Sequence, residues 1–482
     1  MSRRKWKHVL RDSTSPNSVR TLSEREAALS KTARAIFQQS LLDCSIERAF
    51  TERVNVQESG QSPQVFIGEH CINLSLLKHV RIVAAGKAAR RMLVALLNRL
   101  PLLAEFDLRG VLIAPDAPEL SPGIEFYAGG HPFPNQASFA GARAVLDQLR
   151  SLPADAGADN SLCLFLISGG ASAMMELPLD PSISLEDTVA FHSALVHSGA
   201  SIFDINCVRK HFSAVKGGRL AGAAGQARCV TILLSDVPAG HLGTIASGPT
   251  VPDKSTVAEC HEILDRFRLN KQFPSSVQKF FTSERLVETV KPDEMKAETF
   301  TILNADDFAE AARENAEKLG FPAIIDNTCD DWDYREAAHY LLQRMRDLCR
   351  ERRPACLISV GEIIVRPGDD DQERAIANGN GGRNQHFALY AATLLNGDLP
   401  IAIFSAGSDG IDGHSDAAGA VVGSQMLSES RLAGEDGAEL RTAAIEALAE
   451  FQSSTFLSRL GATIVTGPTG NNLRDLRILL VD

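Results

Sequence analysis

The chain has 482 residues, 44% of them hydrophobic and 23% charged, a globular composition that excludes wholesale disorder. No stretch reaches the roughly 18 uncharged apolar residues of a membrane-spanning helix, and 49 basic against 60 acidic residues, net −11, argue against a broad nucleic-acid surface. Nine cysteines without a Cys-x-x-Cys pair fit neither a zinc ribbon nor a disulfide framework and suit a reducing, cytoplasmic setting.

Residues 1–20 carry Arg3, Arg4, Lys5, Lys7, Arg11 and Arg20 against the single acid Asp12, with no apolar signal-peptide core. This segment reads either as a mitochondrial-type transit segment or as a solvated tail. Between 23 and 50, apolar residues recur near the 3.6 period and predict a helix. Short apolar runs ending in small-residue turns follow at 80–85, 110–114, 162–167, 229–234, 300–303, 323–325, 355–360, 400–404, 463–465 and 476–481. They read as strands buried on both faces. Helix-length stretches at 88–97, 137–149, 184–198, 306–319, 334–349 and 438–460 lie between them. The alternation predicts an α/β fold with mostly parallel sheets covered by helices. The polar stretch 270–297, with Pro274 and Pro292, predicts a division into two α/β domains, 21–285 and 298–482. A second polar stretch, 368–382, reads as a loop of the second domain.

In open parallel sheets, ligands bind beyond the carboxyl ends of the strands. Nearly every predicted strand here ends in small and polar residues. Ser168, Gly169, Gly170, Ala171 and Ser172 form the most phosphate-like turn, because two glycines let backbone N–H groups converge on an anion. Neither a Gly-x-x-x-x-Gly-Lys-[Ser/Thr] loop nor a Gly-x-Gly-x-x-Gly after a strand occurs. That excludes an ordinary P-loop NTPase and weakens a dinucleotide oxidoreductase. Lys87 opens a helix after the first strand, where its charge opposes the helix dipole unless an anion sits beside it. Arg383, in Gly-Gly-Arg-Asn-Gln with Asn384, suits a bidentate grip on phosphate or carboxylate. Asp236, Glu362, Asp409 and Asp412 are strand-end carboxylates of the type that holds Mg²⁺, and Asp412 serves equally well as a turn former. The cluster Arg209-Lys210-His211 with Lys216 and Arg219 fits either a helix cap or a cleft wall. His131 in Gly-Gly-His-Pro reads as a structural loop histidine.

In order along the chain stand Ala-Gly-Lys-Ala at 85–88, Gly-Gly-His-Pro at 129–132, Leu-Ile-Ser-Gly-Gly-Ala-Ser-Ala at 166–173, and Val-Arg-Lys-His at 208–211. Lys-Gly-Gly-Arg-Leu-Ala, Leu-Ser-Asp-Val-Pro, Ile-Ala-Ser-Gly-Pro-Thr, Gly-Gly-Arg-Asn-Gln, Ser-Asp-Gly-Ile-Asp-Gly and Thr-Gly-Pro-Thr-Gly-Asn-Asn follow. Together they resemble the glycerate 2-kinase family, whose C-terminal part is the MOFRL domain, here expected at about 355–476. The resemblance implies ATP-dependent phosphorylation of D-glycerate to 2-phosphoglycerate with Mg²⁺, in a cleft between two domains of a monomer or homodimer. It maps the catalytic lysine onto Lys87, the active-site arginine onto Arg383, and the family's aspartates onto Asp236 and Asp409. In this assignment Lys87, Arg383 and Asn384 contact the substrate. The loop 168–172 and Asp236 contact the nucleotide, Asp236 and Glu362 the metal, and Asp409 the attacking hydroxyl. The chain departs from the family pattern at Ala171, at Ala239-Gly240-His241 and at His386. The alternatives are a hydroxypyruvate reductase and a non-catalytic sugar-acid sensor.

Overall fold

A computed structural model describes residues 21–59, 62–116, 122–153, 157–235, 242–295, 298–367, 379–396, 399–427 and 437–482. The basic tail 1–20, residues 368–378 of the predicted loop, Asp236 and Ala239-Gly240-His241 lie outside the described residues.

All ten strands read from the sequence are present, together with five more. A small antiparallel sheet joins β1 (Val54–Ser59), β2 (Ser62–Ile67) and β3 (His70–Asn73). The first large sheet contains β4 (His79–Ala85), β5 (Asp107–Ala114), β6 (Ile124–Ala128), β7 (Ser161–Ile167), β8 (Arg228–Leu234) and β9 (Glu298–Leu303). Its order is β6-β5-β4-β7-β8-β9, and every ladder is parallel. Alternate residues of its strands feed opposite faces. Val80, Ile82, Ala84 and Leu112 pack with Met92 and Leu96 of the helix Ala89–Arg99. Val83, Ala85, Val111 and Ile113 pack with Val145 and Leu149 of the helix Gln136–Arg150. Burial on both faces is why these strands are apolar throughout.

The second large sheet contains β10 (Ala323–Ile325), β11 (Ala355–Gly361), β12 (Ile401–Gly407), β13 (Gly419–Gly423), β14 (Thr463–Ile464) and β15 (Asp475–Val481). Its order is β10-β11-β15-β12-β13-β14. Here the α/β class holds but the strand direction is mixed: β10–β11 is parallel and the other ladders are antiparallel. The predicted long helices at 23–50 and 438–460 are each broken in two, as Leu22–Asp43 with Ile46–Arg53, and Gly437–Ala449 with Ser453–Arg459. Phe451, with a left-handed φ of 55°, lies in the second break.

The boundary expected from 270–297 needs correction. The helix Ser275–Phe281 buries Val277, Phe280 and Phe281 in an aromatic cluster with Phe191, Phe212 and Phe273, the Phe191 and Phe212 rings stacking at 4.1 Å. Residues 273–281 are therefore part of the core of the first half. Strand β9, placed by the sequence division in the second domain, hydrogen-bonds β8 and completes the first sheet. Conversely, Ile36 and Phe37 of the helix Leu22–Asp43 pack with Phe308, Phe404 and Ile478 of the second half. One apolar core thus runs continuously between the sheets.

Candidate active site

The chain moves outward from β4 through β5 and β6, then returns to β7 on the other side of β4. The order reverses between β4 and β7, and at such a reversal the following loops part and leave a crevice. The parallel register pairs Ala85 with Ile167, so Gly86 and Ser168 meet as the strands end. Gly86 has φ 121°, and a Cβ there would lie 2.3 Å from Ser168 Oγ, so only glycine fits. Ser168 is buried and its Oγ accepts from Ala88 N–H at 3.1 Å, while Lys87 N–H donates to Gly169 O at 2.9 Å. These bonds lock the two loops together and leave the Lys87 side chain exposed beside Gly170, without an ion-pair partner among the described residues. Gly170, at φ 85°, turns the chain, and the N–H groups of Gly169 and Gly170 have no partner among the described residues. The helix that follows, Ala171–Met174, has four residues, too short to add a dipole of consequence. Anion binding here rests on loop amides and side-chain charge.

A cleft of about 790 Å³ opens above this crossing, lined by Lys87, His131, Ser168, Gly169, Gly170 and Met174 from the first half. Asp409, Ile411, Pro468, Asn471 and Asn472 close it from the second half. The second wall is anchored by Asn471 Nδ2 donating to Cys44 O at 2.8 Å and by Arg91 donating to Thr469 O. Asp409, just past β12, is the only carboxylate lining this cleft among the described residues. Burial pushes its carboxyl above the usual range and Asp475 adds to the shift, while Lys87 and Arg383 oppose it. Burial and the charge on Lys87 together hold His131 below its ordinary value. His131 is therefore a cleft residue, not only a loop-former, and Gly-Gly-His-Pro was its signal.

Asp409 and Ile411 also line an adjoining cavity of about 600 Å³ that contains Arg383, His386, Asp412 and Phe451. Lys87 and Arg383 thus approach the same carboxylate from opposite sides, but they differ in state. Arg383 donates to Asp475 at 2.6 and 3.2 Å and to Glu362 at 2.7 Å. Burial alone would lower its pKa, and the two carboxylates raise it instead. Its charge is matched within the protein by these two carboxylates. Glu362, expected at the metal, is held by Arg383, and no group of three metal-ligating side chains exists among the described residues. Asn384 is buried and lines neither cavity. Its N–H donates to Asp412 at 3.0 Å and its Oδ1 accepts from Ser405 Oγ at 2.6 Å. Asp412 accepts from both the N–H and the side chain of Gln385, at 2.8 and 3.0 Å, and so caps the helix Arg383–Thr393. Burial pushes Asp412 up to about 6. Ala171 is buried, and Ser172 Oγ lies 3.1 Å from Ser247 Oγ, so neither side chain lines the cleft.

His386, where the family pattern has glutamate, is a buried imidazole stacked on Phe451 at 5.5 Å and hydrogen-bonded to Ser453 Oγ at 3.0 Å. Burial first, and then the charge on Arg335, holds it down to about 4, so it is neutral at pH 7. Asp475 was not legible as a site residue because it begins a strand. Its ladder runs antiparallel to β11 and β12, which brings it against Gly361 and Gly407 where those two strands end.

Residues 32–282 match the family described as a domain of unknown function (DUF4147), and residues 355–475 match the MOFRL family. A D-glycerate 2-kinase of Thermotoga maritima is 35% identical over 84% of this chain and 91% of the relative. The chain belongs to the glycerate 2-kinase family. A glycerate 2-kinase of Pyrococcus horikoshii is 33% identical over 74% of this chain and 78% of the relative. The crystal structure of the Thermotoga maritima glycerate kinase superposes with a TM-score of 0.78 at 34% identity, covering 95% of this chain and all of that one. A relative in Agrobacterium vitis, 33% identical over 83% of this chain, carries a provisional hydroxypyruvate reductase name. Among the described residues, no helix is long and apolar enough to cross a membrane.

Proposed function

We propose that this chain is a kinase that transfers the γ-phosphoryl group of ATP to D-glycerate, giving 2-phosphoglycerate and ADP. The observation that carries the reading is Lys87, set at the β4/β7 crossing beside two glycine N–H groups, all three without partners among the described residues, and facing Asp409 across the cleft. Phosphoryl transfer needs positioning and charge neutralisation more than covalent help. In this reading the loop 168–170 receives phosphate oxygens, and Lys87 offsets the charge that develops on the transferred group. Asp409, its proton affinity raised by burial, accepts the proton of the attacking hydroxyl. A Mg²⁺ bound with the nucleotide would offset phosphate charge and, with phosphate and water oxygens as its other ligands, would need only one or two protein carboxylates. Asp409 lines the cleft and fits that need, and Asp236 is the second carboxylate assigned to it. Arg383 acts indirectly, by holding Asp475 beside Asp409. The nine cysteines, none of them in a disulfide, support a reducing compartment such as the cytoplasm.

The test is phosphorus NMR of purified protein with Mg-ATP and D-glycerate, where a new 2-phosphoglycerate resonance is expected. Consumption of NADH with hydroxypyruvate, and no phosphorylated product, would replace this reading with an oxidoreductase.

A further inference from the structure

Behind the loop 168–173 lies a group of polar side chains that the cleft itself leaves unexplained. Ser172 Oγ sits 3.1 Å from Ser247 Oγ, which donates to Asn206 Oδ1 at 3.0 Å. Ala246 and Ser247 both adopt left-handed backbone, φ 52° and 59°, a conformation that residues with side chains avoid and that tertiary structure must enforce. The strained turn carries the Ser247 hydroxyl between the loop and the helix Ile202–Phe212. Three positions after Asn206, on the same helix face, comes Arg209.

The surroundings of Arg209 are unusual for an arginine. Its Nε is closed to solvent and unpartnered, and among the described residues its guanidinium meets no acceptor. The carboxylate that acts on it, Glu176, is buried and already accepts from Lys216 Nζ at 2.5 Å and His192 Nε2 at 2.9 Å. By contrast, Arg383 holds Asp475 and Glu362, and Arg474 holds Asp330. In this half-buried guanidinium the Nε is cut off from water without an acceptor, a cost that a ligand anion beside the open Nη groups would offset. With Lys87 and the glycine amides on one flank of the loop serving phosphate, and Arg383 already matched, the substrate carboxylate still lacks a cation.

We infer that Arg209, supported by Asn206, Ser247 and Ser172, binds the carboxylate of the hydroxy-acid substrate. The inference rests on the kinase reading above and names the anchor of its acceptor. A planar fork of N–H donors matches a carboxylate in bidentate fashion, which a lysine does not. Arg209→Gln should raise KM for D-glycerate about 50-fold, the size expected for losing a charge-assisted pair, while KM for ATP stays within about twofold. Glyceramide, of the same shape but neutral, should serve wild type and variant equally well. Glycerate KM unchanged, or a rise in the ATP KM instead, would overturn the assignment, the latter result identifying a nucleotide phosphate site. If the glutamine variant does not fold, phenylglyoxal labelling of the wild-type chain decides. Glycerate should protect Arg209, as read by peptide mass, whereas no protection, or protection by ATP alone, counts against the carboxylate anchor. Should the wild type form no phosphorylated product, the kinase reading fails by itself, and protection by glycerate still reports on Arg209.

Discussion

The carboxyl end of the first large sheet and the strand ends of the second both carry polar residues, but they treat charge in opposite ways. In the first, Lys87 and the amides of Gly169 and Gly170 have no partners among the described residues and are locked in place by Ser168 and Gly86. In the second, Arg383 is closed on Asp475 and Glu362, Arg474 on Asp330, and Asp412 on Gln385 and Asn384. The contrast teaches that a strand-end charge is a candidate for chemistry only when the fold leaves it unmatched. A matched charge shapes the site by holding others. Both kinds meet at Asp409, which lines the cleft and the adjoining cavity alike.

The contrast breaks most visibly at Lys87. Lys87→Ala should lower kcat by about 10³-fold, in the range for removing a charge-stabilising donor, with the midpoint of urea unfolding unchanged. Retained turnover would remove the lysine from the mechanism. Arg383→Ala should act the other way round. It strands buried Asp475 and half-buried Glu362 without their cation, and equilibrium unfolding should show a loss of about 3 kcal/mol. Full stability combined with lost turnover would mean that Arg383 is catalytic after all.

The third prediction concerns pH and His386. Its folded pKa, about 4, lies below the ordinary 6.5, so the unfolded chain binds the extra proton between those values. Stability from this site is complete above about pH 6.5 and is lost as pH falls towards 4, by up to about 3 kcal/mol. Denaturant midpoints from pH 7 to 4.5 should fall for the wild type and flatten for His386→Phe. Equal slopes would place the titration elsewhere. The smallest effect belongs to Gly170→Ala. The left-handed φ of 85° and a Cβ 3.1 Å from Lys87 Cγ should cost about 1–2 kcal/mol and raise KM for ATP by several fold. An unchanged KM would show that the turn does not shape the phosphate contact.

Local pattern alone determined much about this protein. Apolar runs of strand length and periodic stretches between them marked every large-sheet strand except β6 and β13, and the motifs around Lys87 and 168–172 named the crossing where the cleft lies. Those features are local because a strand buried on both faces must be apolar along its whole length, and a turn over another backbone must use glycine. What only the tertiary structure decided was pairing. That β9 closes the first sheet, that β15 runs antiparallel and sets Asp475 against Arg383, and that Lys216 rather than Arg209 takes Glu176 all depend on contacts between residues far apart in sequence. A side chain's charge is written in its residue type. Whether that charge is neutralised depends on which distant group the folded chain brings within hydrogen-bonding distance.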